Sequence, residues 1–350
     1  MMMSCKNNSL KITLGVALFL ICWGATSEAF SFSAQRNYLS TRTSTTTRTT
    51  GKLSASSSSV AVTEMPQKML VTFDLDDTLF PIEQVVEEAN VAQINAMKEL
   101  GYETTIEKCM EQTKAIRQAL DGPVTYSDLR RAAIRAEMIR LAENSVSRDV
   151  LERHMQHVFD AWLQERHDAS ERHLFEDAIP ALVELKSKFP SIQIGAITNG
   201  RGNPLDMKNT LAPLFDFCVS GEDAAVFPHR KPNSKIYQVA LTRWREQKSD
   251  DETMCWFHVG DCLANDVGAS SDLGAHAIWV VKEDPKEQPF YSTASLEELS
   301  ARAKLIDAAR EKMSGQIKSL KELNTVLQNI IYNTNWQEKI PGMDPEATAA

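Results

Sequence analysis

Val71-Thr72-Phe73-Asp74-Leu75-Asp76-Asp77-Thr78-Leu79 decides how this chain is read. A hydrophobic run, Met69 to Phe73, has the make-up of a buried strand and leads straight into two carboxylates one residue apart. On extended backbone the side chains at i and i+2 point the same way. The end of the strand can therefore aim Asp74 and Asp76 into one small site, where one acid serves as nucleophile or metal ligand and the other moves protons. An acidic loop capping a buried strand would read the same way, so the rest of the chain has to decide.

Downstream of this strand the pattern is helical. Ile82 to Leu100, Thr105 to Leu120, Ser127 to Ala142 and Ser147 to about His167 each place apolar residues at i, i+3 and i+4. Gly101, Gly122-Pro123 and Asn144 punctuate them, which predicts an all-helical insert. The chain then alternates. Helices are expected over Asp177–Phe189, Leu205–Leu211, Ser234–Gln247 and Asp266–Leu273. Strands are expected over Ile192–Ile197, Phe217–Ser220, Met254–Val259 and Ala277–Val281. Such alternation predicts an α/β fold, a Rossmann-like parallel sheet with helices on both faces. Ser295 with Glu298 and Ser319 with Glu322 have the spacing of capping boxes for two final helices, and the chain beyond Tyr332 reads as a loose tail.

Of the 350 residues, 43% are hydrophobic and 24% charged, as in a globular enzyme. Before Glu64 there are six basic side chains against Glu28 alone, a net of +5, which leaves −14 for the rest of a chain whose formal total is −9. So acidic a body lacks the Lys and Arg that neutralise nucleic-acid phosphates, and a small anionic substrate needs a local metal or basic cluster. Six cysteines are present, none in CxxC spacing, so neither a zinc site nor a disulfide framework is indicated.

The first 63 residues read as an address. Lys6 and Lys11 precede the apolar run Ile12 to Trp23, and Ser27-Glu28-Ala29 supplies small residues for cleavage, the layout of a signal peptide over residues 1–29. A transmembrane helix is the other reading, but the run is shorter than the roughly 20 apolar residues a bilayer asks for. Residues 30–63 contain no Asp or Glu and are crowded with Ser and Thr, the composition of a transit peptide. With Phe30 after the junction, the two together resemble the bipartite presequence of algae whose plastids lie within extra membranes. Plastid stroma is the expected compartment, secretion with a Ser/Thr-rich linker the alternative, and the mature form is expected to hold no membrane segment.

Three further motifs follow strands. Ala196-Ile197-Thr198-Asn199-Gly200 offers a hydroxyl, an amide and backbone donors suited to phosphate oxygens, and equally a turn with a helix cap. Lys231-Pro232 precedes a helix and can set a charge against a phosphate or a carboxylate. His258-Val259-Gly260-Asp261-Cys262-Leu263-Ala264-Asn265-Asp266 again brings two acids off a hydrophobic strand, a shell that suits Mg²⁺. In this order the motifs resemble the haloacid dehalogenase-like hydrolase superfamily over roughly Lys68 to Tyr332. The core would be residues 64–81 and 176–332, the helical cap 82–175, and the tail 333–350.

The resemblance implies a division of labour. Dehalogenases of the superfamily lack the second acid of the first motif, so Asp76 points to phosphoryl transfer. Asp74 would be the nucleophile, and Asp76 would protonate the leaving oxygen and then activate water. Thr198, Asn199 and Lys231 would bind the phosphoryl group. Mg²⁺ would be held by Asp74, the Asp76 carbonyl and Asp261, with Asp266 ordering the shell. The expected partner is a small phosphorylated metabolite rather than nucleic acid, and monomer and homodimer both remain open. The core motifs are similar to a bacterial subgroup acting on FMN and a riboflavin-pathway ribitylaminouracil phosphate. Phosphoglycolate, sugar phosphates and nucleoside monophosphates are the alternatives, and a phosphomutase or a non-catalytic binding protein the other classes. Within the cap, Arg130, Arg131 and Arg135 lie on one helical stretch and are the candidates for substrate contact; Tyr126 and Trp162 could stack on a ring or fill the cap core.

Overall fold

The computed structural model describes residues 68–142, 146–245, 254–281 and 296–334. The leader, Ser295 and the tail beyond Thr334 lie outside the described residues.

β1 (Lys68–Phe73) is buried along its whole length, which explains why its sequence is a continuous apolar run rather than an alternating one. Five more strands complete one parallel sheet: β2 (Gln193–Thr198), β3 (Phe217–Ser220), β4 (Met254–Gly260), β5 (His276–Val280) and β6 (Gly315–Ile317). Their order is β3-β2-β1-β4-β5-β6, with β1 hydrogen-bonded in parallel to both β2 and β4. The chain leaves β1 toward one edge and later crosses back to the other. The crevice beyond the carboxyl ends of β1, β2 and β4 is thus where such a sheet holds its ligands.

Both faces are covered. Met69, Val71 and Phe73 pack with α5 (Ala178–Lys188) and α9 (Leu323–Asn333). Leu70, Ile197, Val219 and Trp256 pack with α6 (Ser234–Arg245) on the opposite face, and α8 (Leu296–Lys312) sends Ala309 against Ala277 of β5. Four helices, α1 (Ile82–Glu99), α2 (Ile106–Ala119), α3 (Tyr126–Ala142) and α4 (Arg148–Arg172), enclose a separate core of Ala89, Met97, Ile134, Met138, Val158, Phe159 and Trp162. α1 leaves the sheet and α4 returns to it, and the Phe175 amide bonds to the Leu79 carbonyl where the two crossings meet. No described helix is long and apolar enough to cross a membrane.

Three local expectations differ from the structure. Leu205–Leu211 is not a helix: it is a short 3-10 turn, Pro204–Asp206, followed by further turns. Glu171 of α4 captures the Asn209 amide and the Thr210 hydroxyl there, and Pro213 follows, so a continuing helix would lose those bonds. Asp266–Leu273 begins earlier, as one wide turn over Leu263–Gly268, then α7 (Ala269–Ser271). In that turn the Asp266 carboxylate reaches back to accept from the Cys262 amide at 3.0 Å. Ser319 caps a 3-10 turn, Leu320–Glu322, rather than α9 itself, and the three-residue β6 just before it carries no readable alternation.

Glu137 is a buried charge within the cap. It accepts from both Arg140 nitrogens at 2.7 Å and from the Thr104 hydroxyl, and so sits below the usual carboxylate range, the Arg140 hydrogen bonds outweighing burial. A depressed carboxylate adds stability above its unfolded pKa of about 4.3, and loses it as pH falls through the lower folded value. Glu137→Ala is expected to cost about 1–3 kcal/mol at neutral pH. Thermal melts from pH 7 down to 3 should show wild type converging on the variant; parallel curves would deny Glu137 this role.

Candidate active site

Asp74 and Asp76 leave β1 side by side, and the backbone then turns sharply at Asp77, whose φ is 63°. The Asp77 carboxylate accepts from the Ile82 amide at 3.3 Å and starts α1, so this turn both shapes the acidic loop and launches the cap. Asp74 is anchored by its amide, which donates to Val259 of β4 at 2.9 Å, and Thr78 Oγ1 lies 3.4 Å from its Oδ2.

Lys231 Nζ joins two carboxylates, 2.5 Å from Asp74 Oδ1 and 2.7 Å from Asp266 Oδ1, with all three side chains buried. The loop that carries it is held by Asn199, whose Oδ1 accepts from the Lys231 amide at 2.7 Å and whose Nδ2 donates to the Lys231 carbonyl at 3.0 Å. The Asn199 side chain is thus engaged in aiming Lys231. Thr198 is buried at the end of β2, and its Oγ1 accepts from the Gly200 amide at 3.2 Å.

Asp266 comes closer to the centre than an ordering residue behind the ligands. Its carboxylate, with those of Asp74 and Asp261, places ligand oxygens within 4.8 Å of one another. Gly260 makes room for it: a Cβ there would meet the Asp266 carboxylate carbon at 2.4 Å. Behind it stands His258, whose Nε2 is 3.4 Å from Asp266 Oδ1 and whose Nδ1 is 2.8 Å from Thr72 Oγ1. Thr72 Oγ1 accepts from the Trp256 indole at 2.9 Å and lies 3.2 Å from the Phe257 carbonyl, so His258 stands in a buried hydrogen-bonded row that ends on Asp266. Burial keeps His258 below its ordinary pKa.

Charge divides unevenly over the cluster. Burial raises Asp74 to about 7 against the pull of Lys231, with the Asp266 and Asp76 charges adding to the rise. Burial would raise Asp266 too, but the Lys231 charge and the His258 hydrogen bond bring it down to about 2. Burial disfavours a charged Lys231, yet Asp266 and Asp74 more than offset it and hold the ammonium well above its usual range. Three clustered carboxylates facing one ammonium make a set of hard oxygen donors that fits a divalent cation such as Mg²⁺.

The structure does not bring the cap arginines expected from sequence into this site. Arg130 donates to Asn90 and Gln93 at 3.0 and 2.8 Å and lies 4.0 Å over the Trp162 ring. Arg131 covers the Phe159 ring at 3.9 Å, beside Asp128, and Arg135 makes a two-pronged bond to Glu152 at 2.6 and 2.7 Å. These three hold the cap together. Trp162 belongs to the cap core, and Tyr126 is exposed beneath the Arg230 guanidinium at 3.9 Å. That stack, with the Ser127 amide donating to Glu222 at 3.1 Å, clasps the start of α3 onto the loop that carries Lys231.

A different arginine reaches the site. Arg166, in the last two turns of α4, is buried, and its Nη2 lies 2.9 Å from Asp76 Oδ1. Its signal in the sequence was position: it falls in the apolar stripe Val158, Trp162, Arg166, Ala169, where a guanidinium needs a partner to be buried.

Comparison with known proteins agrees with this architecture. A solved structure of a 2-haloacid dehalogenase from Pseudomonas syringae pv. Tomato DC3000 superposes with a TM-score of 0.55 at 24% identity, over 75% of this chain and 99% of the other. A HAD phosphatase from Thermococcus onnurineus gives 0.43 at 16%, over 74% and 97%. A predicted phosphoglycolate phosphatase from Haemophilus somnus 129pt gives 0.41 at 14%, over 76% and 100%. At such identities only the first likeness bears on the chain, and it bears on the fold alone. No curated protein matches. The sequence profile of a hydrolase family, haloacid dehalogenase-like hydrolase, matches residues 68–274, which span β1, the four cap helices and the Lys231 and Asp261 loops. With more than half of its length inside that match, the chain belongs to the haloacid dehalogenase-like hydrolases.

Proposed function

We propose that the protein is a Mg²⁺-dependent phosphomonoesterase that works through a phosphorylated Asp74. The observation that carries this reading is Asp76: a second carboxylate, two residues from the nucleophile, held by Arg166 beside the buried Asp74–Lys231 pair. Attack on carbon by Asp74 alone would have no use for it. In the phosphatase reading an Asp74 oxygen attacks phosphorus, and the bond to the leaving oxygen breaks as Asp76 gives that oxygen a proton. Asp76 then takes a proton from water, which attacks the aspartyl-phosphate and frees phosphate and Asp74. Thr198, at the end of β2, and Lys231, in the loop before α6, would bind the phosphoryl oxygens, Lys231 offsetting their charge. Asp74, Asp261 and the Asp76 carbonyl would hold Mg²⁺, with Asp266 beside them; when bound, the ion neutralises phosphoryl charge.

Among substrates, FMN or a riboflavin-pathway ribitylaminouracil phosphate is the preferred class, supported by the core motifs Ala196–Gly200, Lys231-Pro232 and His258–Asp261. Phosphoglycolate, sugar phosphates and nucleoside monophosphates are the competing ones. The test is a panel of these compounds and 2-haloacids, with and without Mg²⁺, on the chain from Glu64. Hydrolysis of phosphomonoesters that EDTA abolishes is the expected result. Release of halide instead would replace phosphoryl transfer with dehalogenation, and selectivity for a phosphate outside the flavin pathway would remove that substrate class.

The leader supports a plastid stromal location, with secretion as the competing one. Residues 1–63 fused to a fluorescent reporter should carry it into plastids of an alga with extra plastid membranes; signal confined to the secretory route would overturn this.

A further inference from the structure

Arg166 has a half-used fork. Its Nη2 is paired with Asp76, whereas Nη1 is buried and has no hydrogen-bond partner among the described residues. A guanidinium keeps its charge at any working pH, so a buried and unmet N–H of this kind costs free energy in the absence of an acceptor. The surroundings are shaped for it. A Cβ on Gly202 would meet Nη1 at 2.8 Å and Leu75 Cδ1 at 3.3 Å, and one on Gly200 would come 3.3 Å from Asp76 Oδ2, 3.7 Å from Arg166 Nη2 and 3.9 Å from Thr198 Oγ1. The two glycines after β2 thus let the backbone pack closely against the Arg166 fork where it meets Asp76 and Thr198. Ser170 Oγ, bonded to the Arg166 carbonyl at 2.7 Å, helps fix this turn of α4.

The geometry points to Arg166 as a binding residue for the substrate's anionic group: Nη2 holds Asp76 while Nη1 takes an oxygen of a phosphate. The assignment rests on the phosphatase reading for the identity of that anion. Because the residue comes from the cap helices and its partner from the loop after β1, the anion would be held at the seam between them. A two-pronged guanidinium suits this double duty in a way that a lysine's point charge does not.

Inorganic phosphate is the probe, titrated calorimetrically into the Mg²⁺-loaded full chain. Arg166→Gln is expected to weaken phosphate binding about 10- to 100-fold, the range for a charge-assisted hydrogen bond, and Arg166→Lys to recover part of that loss. Ser127→Ala serves as the control, since it loosens the other cap clasp at Glu222 without touching the fork. Its phosphate affinity should match wild type. An unchanged dissociation constant in Arg166→Gln overturns the assignment, as does an equal loss in Ser127→Ala, which would reduce Arg166 to a clip between cap and sheet. A wild type that hydrolyses no phosphomonoester yet loses phosphate affinity on Arg166→Gln sustains the anion site and sinks the hydrolase reading instead.

Discussion

Asp74→Asn is expected to lower phosphomonoester turnover by at least about four orders of magnitude while leaving the protein folded. The chemical half of this expectation follows from the role of Asp74: an amide oxygen does not form the acyl-phosphate, and the neighbouring carboxylates are engaged elsewhere. Asp76 is already paired with Arg166, and Asp266 is bonded to Lys231 and the Cys262 amide. The structural half follows from charge. An Asn amide keeps an oxygen for Lys231 Nζ and leaves Lys231 its second partner, Asp266. Burial already holds the Asp74 carboxyl up near 7, so its charge is a strain on the metal-free fold and removing it relieves that strain. The metal-free variant should therefore melt at or above the wild-type temperature. Retained Mg²⁺-dependent hydrolysis in this variant would falsify the nucleophile assignment, and a collapsed melting curve would make Asp74 a structural residue first.

Asp74 and Asp76 stand out within nine residues because a buried apolar run leads straight into them, although β1 itself ends at Phe73 and Asp76 is held by Arg166 from far along the chain. Thr198, Lys231 and Asp261 stand out for a related reason, since they lie at the end of β2, shortly before α6 and just after β4 in an alternating chain. The cap gave less away. Arg130, Arg131 and Arg135 lie on one stretch of α3, but which side chains meet the substrate depends on how four helices pack, and these three end against Trp162, Phe159 and Glu152. Arg166 is 90 residues from Asp76, and only the return of α4 to the sheet joins them. Asn199 shows the opposite limit. Its type suits a phosphate ligand, yet a neighbouring loop 32 residues on claims both of its polar atoms. Where a side chain's partner is far along the chain, residue type names a capability and tertiary structure chooses its use.

Lys231→Met is expected to destabilise the metal-free protein by about 3–5 kcal/mol, as removing one member of a buried ion pair does. Methionine keeps most of the volume, so the loss isolates charge from packing. In wild type the ammonium sits against Asp74 and Asp266, with the Asp261 carboxylate in the same small cluster. Without the ammonium, Asp266 loses the charge that brings it down to about 2, and burial drives it upward toward protonation. The fold then holds either two buried charges in repulsion or two protonated acids at a cost in free energy. Both alternatives carry the same signature. Millimolar Mg²⁺ should raise the melting temperature of Lys231→Met by more than that of wild type, because the cation supplies part of the missing charge to the same carboxylates. Asp266→Asn added to Lys231→Met should recover stability for the same reason, and by more than it does in wild type, where it removes a favourable partner instead. Equal melting temperatures for wild type and Lys231→Met would mean that these acids are already neutral in the folded protein, and that the ammonium neither holds the cluster together nor offsets the charge an incoming phosphate would bring.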